Sequence, residues 1–139
     1  MSVTDKQDLR TPMIHEKVTY WATETPGAIA VRSAYETLTY AQLDRESSAL
    51  ARYLGEQGIQ AGDLVGIFLQ PSVSTLVCII GILKSGAAYV PLDTANPTSR
   101  LTLMIQQLEN LKLIFTSEKA ADLFQDLPLA VVEIESLRQ

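Results

Sequence analysis

Residues 64–69 form a near-continuous apolar run, followed within a few positions by a helix-length stretch, 73–84, that is apolar nearly all round. Neither pattern suits an element lying on a surface. A strand apolar at consecutive positions is buried on both faces, and a helix without a polar stripe has to be sandwiched. The pair therefore demands a sheet with helices stacked against it. Local signals agree with that reading. Ser72 is placed to cap the helix, Lys84 stands in its last turn where a cation suits the helix dipole, and Gly86 supplies its stop.

Downstream, the apolar runs 87–91, 111–115 and 130–134 read as further strands. Between them, Asn96 as cap and Pro97 at the first helical position open a helix to about 108, with Leu101, Met104, Ile105 and Leu108 inward. A shorter helix is expected over 117–125. Upstream, Ile14, Val18, Trp21 and Ala22 recur at helical spacing over 14–23, ended near Pro26-Gly27. Two short strands follow, 28–31 and 37–39. The clearest helix is 40–57, with Thr39 and Gln42 at capping-box spacing and Gly58 as its stop. Leu43, Ser47, Leu50 and Leu54 share its inner face, leaving Asp44, Arg45, Arg52 and Glu56 toward water. Strands alternating with helices through short turns predict an α/β fold, a largely parallel sheet with helices on both faces. The expected organisation is a disordered polar lead-in over 1–12 and one compact unit over 13–139.

Composition narrows the function. With 47% hydrophobic and 19% charged residues the chain is globular in character. A net charge of −5 with no Lys/Arg block argues against nucleic acid or an anionic membrane as partner. The longest apolar run, 76–83, falls well short of the ~20 residues a bilayer requires. The first residues carry no apolar leader, so a cytoplasmic location is expected. Cys78 is the single cysteine, so no internal disulfide is possible, and within Val77-Cys78-Ile79-Ile80 it reads as a small buried hydrophobe.

Reactive constellations are hard to assemble from this inventory. Gly81-Ile82-Leu83-Lys84-Ser85-Gly86 imitates a phosphate loop, but its glycine spacing is wrong and Lys84-Ser85 falls at a helix end, whose dipole repels anions. His15 is the only histidine, which excludes a multi-histidine metal site, and beside Glu16 it reads as structural or solvated. Asp93 follows a predicted parallel strand, the place where such sheets bind ligands. Ordinary turn chemistry before Thr94-Ala95-Asn96-Pro97 accounts for it equally. Glu133 and Glu135 alternate along the last strand and are expected to face solvent. The residues alone give an acidic α/β unit to which no catalytic, cofactor-binding or metal-ligating residue is assigned.

Two segments add a resemblance. Leu38-Thr39-Tyr40-Ala41-Gln42-Leu43-Asp44 resembles the first core motif of the adenylation domains of nonribosomal peptide synthetases. Leu83-Lys84-Ser85-Gly86-Ala87-Ala88-Tyr89-Val90-Pro91-Leu92-Asp93 resembles the second. They stand in the expected order, and the likeness extends over 14–117, including Thr25-Pro26-Gly27-Ala28-Ile29-Ala30-Val31 upstream and Asn96-Pro97 with Arg100-Leu101 downstream. Both motifs read as scaffold: Thr39 opens a helix, Gly86 lets the chain reverse, Tyr89 lies on a strand expected to be buried, and Pro91 is expected to end its pairing.

The resemblance implies the first part of the large domain of an adenylate-forming enzyme. Such an enzyme joins an amino acid to ATP, with Mg, as an aminoacyl adenylate, releases pyrophosphate, and loads the phosphopantetheine of a carrier protein. The residues credited with that chemistry lie beyond this stretch. Phe115-Thr116-Ser117-Glu118-Lys119 has a Thr-Ser pair without the glycines and Pro-Lys of the family's phosphate loop, so no catalytic residue is carried over. The implied partners are the remainder of the adenylation domain and a carrier protein. Pro71, Thr94-Ala95-Asn96, Ser85 and Ala87 depart from the family pattern at loop and packing positions. Two alternatives stand beside this reading: a non-catalytic interaction or regulatory module built from this lobe, and a portion of an acyl-CoA or aryl-acid ligase.

Overall fold

A computed structural model of the chain describes residues 14–138, so the lead-in expected over 1–12 lies outside the described residues. In chain order the elements are α1 (Ile14–Glu24), β1 (Ile29–Arg32), β2 (Thr37–Thr39), α2 (Tyr40–Glu56), β3 (Leu64–Phe68), α3 (Val73–Ser85), β4 (Ala88–Pro91), α4 (Thr98–Gln106), β5 (Leu111–Thr116), a 3₁₀ segment (Glu118–Phe124), β6 (Ala130–Glu133) and α5 (Ile134–Arg138). β1 and β2 form a separate antiparallel pair, and the other strands make a fully parallel sheet in the order β4-β3-β5-β6.

The capping box predicted from Thr39 and Gln42 is present in both directions. The Thr39 hydroxyl accepts from the Gln42 N–H at 3.2 Å, and the Gln42 carboxamide oxygen accepts from the Thr39 N–H at 2.8 Å. Ser72 caps α3, and Gly86 closes it at φ 91°, a left-handed conformation that a side chain would strain. α3 is sandwiched as its composition required, with Val73, Val77, Cys78, Ile80 and Ile82 all buried. α2 can lie directly on it because Gly81 has no side chain: a Cβ there would sit 2.6–3.0 Å from Leu50 side-chain atoms. The opposite face of the sheet is covered by α4 and the 3₁₀ segment through Phe68, Leu92, Leu101, Ile105, Ile114 and Phe124.

Several local expectations are corrected. β4 is an edge strand, so Tyr89 is 38% exposed rather than buried. Pro91 does not end the pairing; it stands opposite Ile67, and the Leu92 N–H beyond it still reaches the Ile67 carbonyl at 2.9 Å. Asn96 is not a helix cap. Asp93 has already turned the chain there, and Pro97, extended at ψ 153°, takes the cap position with α4 beginning at Thr98 and ending at Gln106. β6 stops at Glu133, so Glu135 lies on α5 and not on the strand.

Candidate functional site

Parallel α/β sheets bind ligands beyond the carboxyl ends of strands, at the point where successive connections leave to opposite faces. Here that point lies at the ends of β3 and β5. The connection after β3 runs through α3 on one face, and the connection after β5 runs through the 3₁₀ segment on the other. A crevice of about 310 Å³ opens there, bordered by Phe68, Gln70, Ser72, Thr94, Ser117 and Glu135.

Its polar groups are largely spent on one another. The Gln70 carboxamide donates to the Thr94 hydroxyl at 3.0 Å, tying the loop after β3 to the loop after β4. The Gln70 carbonyl accepts from the Thr75 hydroxyl at 2.8 Å, and the Ser72 hydroxyl accepts from the Thr75 N–H. Thr116 is fully buried beneath and donates to the Phe68 carbonyl at 3.1 Å. Asp93 resolves as turn chemistry: it is exposed, and its carboxylate accepts from the Ala95 N–H at 2.8 Å. Hydroxyls and amides closed on themselves do not fit a nucleotide triphosphate or its magnesium. No group of three or more His, Cys, Asp or Glu among the described residues could hold a metal ion.

Two charged clusters, neither foreseen from the sequence, lock the helices instead. Lys84 reaches back across α2, where its ammonium meets the Asp44 carboxylate at 2.6 Å and the Ser48 hydroxyl at 2.9 Å. Asp44 is therefore paired and only partly exposed, rather than simply solvated. Its partner is distant in sequence, and local periodicity carries no trace of it. The second cluster centres on Arg138, whose side chain is 10% exposed. Its guanidinium binds Glu36 through both carboxylate oxygens at 2.7 and 2.8 Å, Glu46 at 2.7 Å and the Ser74 hydroxyl at 2.7 Å. Ser74 in turn donates to Glu135. One side chain thus joins α5 to α2, α3 and the turn between β1 and β2.

The hydrogen bond from Arg138 holds the Glu36 carboxyl below the ordinary carboxylate range; burial opposes it, and the Arg138 charge adds a lesser pull in the same direction as the hydrogen bond. The same Glu36 contact, with Glu46, raises Arg138 above its already high value. Cys78 is wholly buried, and desolvation pushes its thiol up to about 12, the opposite of what a nucleophile needs. His15 lies on α1, and its Nδ1 is buried without a hydrogen bond among the described residues.

The profile of the AMP-binding enzymes matches residues 18–137. The chain is 38% identical over 121 residues to the nonribosomal peptide synthetase GRA1 of Gibberella zeae, covering 87% of this chain and 2% of that protein. It is 43% identical over 102 residues to zwittermicin A synthase ZmaJ of Bacillus cereus, covering 73% of this chain and 19% of that protein. Among solved structures, the nonribosomal peptide synthetase FmoA3 with bound α-methyl-L-serine-AMP superimposes with a TM-score of 0.84 at 28% identity, covering 95% of this chain and 15% of that one. The chain thus spans only a small part of the length of the relatives it matches.

Proposed function

The chain belongs to the AMP-binding enzyme family, and from that premise we propose that it is the amino-terminal scaffold portion of an amino-acid adenylation domain. In this reading 13–139 form a lobe that the phosphate loop and later elements complete, and the residues here bind neither ATP nor magnesium by themselves. The complete domain activates an amino acid with ATP as an aminoacyl adenylate and passes it to a phosphopantetheinyl carrier protein in the cytoplasm. No described helix is long and apolar enough to cross a membrane, which is compatible with that location.

The observation that carries the proposal is the placement of the two motifs. The first, 38–44, ends β2 and starts α2; the second, 83–93, runs from the end of α3 through β4. Lys84 of the second bonds to Asp44 of the first, so the two motifs fasten α3 to α2. Their work is architectural, and it leaves the reacting groups to other segments.

ATP–pyrophosphate exchange tests this. The chain alone, offered each amino acid with ATP and magnesium, is expected to catalyse no exchange. Exchange is expected when the rest of an adenylation domain is supplied as a separate polypeptide. If a tight complex forms and no amino acid is ever activated, the adenylation reading fails.

A further inference from the structure

Arg138 makes more hydrogen bonds than its charge requires. Glu36, bound through both oxygens, and Glu46 already give the guanidinium two carboxylates, yet one Nη1 N–H goes to the Ser74 hydroxyl at 2.7 Å. Ser74 lies in the first turn of α3 and is 3% exposed. In α2, Ser47 behaves as buried helical hydroxyls commonly do and donates back to the Leu43 carbonyl of its own helix. Ser74 instead donates away from its helix, to the Glu135 carboxylate. Because its oxygen accepts from Arg138, its one proton is left to point at Glu135, and the three groups form a chain of fixed direction.

That chain ends at the crevice, which Glu135 borders together with Ser72. Glu135 belongs to α5, a five-residue turn too short to keep a direction by its own hydrogen bonds. Two side chains fasten it: Ile134, fully buried at its start, and Arg138 at its end. Ile134 fixes where the turn begins. Arg138, held by α2, α3 and the turn between β1 and β2 at once, fixes which way it runs. The Glu135 carboxylate stands 4.0 Å from Arg138 Nη1, beyond hydrogen-bond reach, so its orientation comes through Ser74. Lys84 is the contrast. It ties α3 to α2 from the last turn of α3, and neither of its partners, Asp44 and Ser48, borders the crevice.

We propose that Arg138 is a positioning residue for amino-acid activation: acting through Ser74, it sets Glu135 and α5 as one wall of the crevice at the ends of β3 and β5, and the completed domain needs that wall in place to react. This rests on the scaffold reading above. Parallel sheets gather their ligands beyond the strand carboxyl ends, and a misplacement of about 1 Å caused far from the reacting atoms costs on the order of a hundredfold in rate. Arg138 itself does not border the crevice, so its loss acts on rate through the wall and not through substrate contact.

The test is ATP–pyrophosphate exchange by this chain saturated with the portion of ZmaJ that follows its match, supplied as a separate polypeptide, using an amino acid that the unmodified complex activates. Thermal melts first show each variant folded. Ser74→Ala cuts the relay and leaves both carboxylates on Arg138; Arg138→Met removes its source. Each is expected to lower kcat by about tenfold or more, with KM for ATP and for the amino acid within about twofold of the parent. The two together should lose no more than either alone, because they interrupt one chain. Lys84→Met, which loosens α3 at its other end, is expected to lower the melting temperature and keep the parental kcat. If Ser74→Ala shifts only the melt, or Lys84→Met loses as much rate, Arg138 is a structural tie and the scaffold reading stands. If the unmodified chain forms no complex or activates no amino acid, the scaffold reading falls and this one with it.

Discussion

The sheet has the same chemistry on its two faces and very different cover. On one face Val65, Ile67, Leu113 and Phe115 meet α3, and α2 lies over α3 in turn, so that helix is enclosed on both sides. On the other face Phe68, Leu92 and Ile114 meet only α4 and the 3₁₀ segment, whose outer surfaces leave Leu103 at 61% and Leu123 at 43% exposed. The difference explains where polar ties occur. The deep side brings whole helices together, so the charged side chains at their margins, Lys84 and Arg138, end up largely buried and need partners. The thin side has no second layer, and its polar groups reach water without help.

The comparison can be broken at each face by opposite manipulations. The largest effect is expected on the thin side from Phe124→Ala. Phe124 is 1% exposed and meets Phe68 edge to face at 5.2 Å, and no second layer can settle into the hole. A loss of ~3–4 kcal/mol by urea denaturation is expected, the range for deleting a buried phenyl group. On the deep side the sensitive direction is addition. Gly81→Ala puts a methyl 2.8 Å from Leu50 Cβ, which cannot rotate away, so α2 and α3 must separate. The expected cost is ~2 kcal/mol, and adding Leu50→Ala should return part of it, because the two changes share one contact. A Gly81→Ala protein as stable as the parent would mean that the close approach of α2 and α3 contributes little.

How much of this is legible in the sequence depends on the range over which each feature is determined. α2 with its cap, β3, enclosed α3 and the Gly86 stop are all readable, because periodicity, capping hydroxyls and left-handed glycines act within a few residues. The adenylation-domain likeness is readable from two contiguous motifs. Features set by strand order are not. Tyr89 sits in as apolar a segment as Val65, yet β4 is at an edge and β3 is central. The Lys84–Asp44 and Arg138–Glu36 pairs join residues 40 and 102 positions apart, and nothing local marks Asp44 or Glu36 as different from their solvated neighbours. Glu135 reads as a strand residue because 130–134 has the pattern of one strand, and the turn into α5 carries no glycine or proline to announce it.

The polar ties of the deep side provide the smaller tests. Arg138→Met keeps the aliphatic stem and removes the charge, leaving Glu36 and Glu46 partly exposed and able to rehydrate. The expected cost is therefore ~1–2 kcal/mol rather than the larger figure for a fully buried pair. Glu36→Gln is gentler, and its signature is pH dependence. Arg138 lowers the folded-state pKa of Glu36 below its ordinary 4.5. The pair's contribution is then fully present above that value and is lost as pH falls through the folded one. Thermal melts should show the parent more stable than Glu36→Gln at neutral pH, with the gap closing below about pH 4.5 as the carboxylate protonates. A gap that stays constant into acid would remove the Arg138–Glu36 pair as its source and leave α3 held by packing and by the Lys84–Asp44 and Arg138–Ser74 contacts.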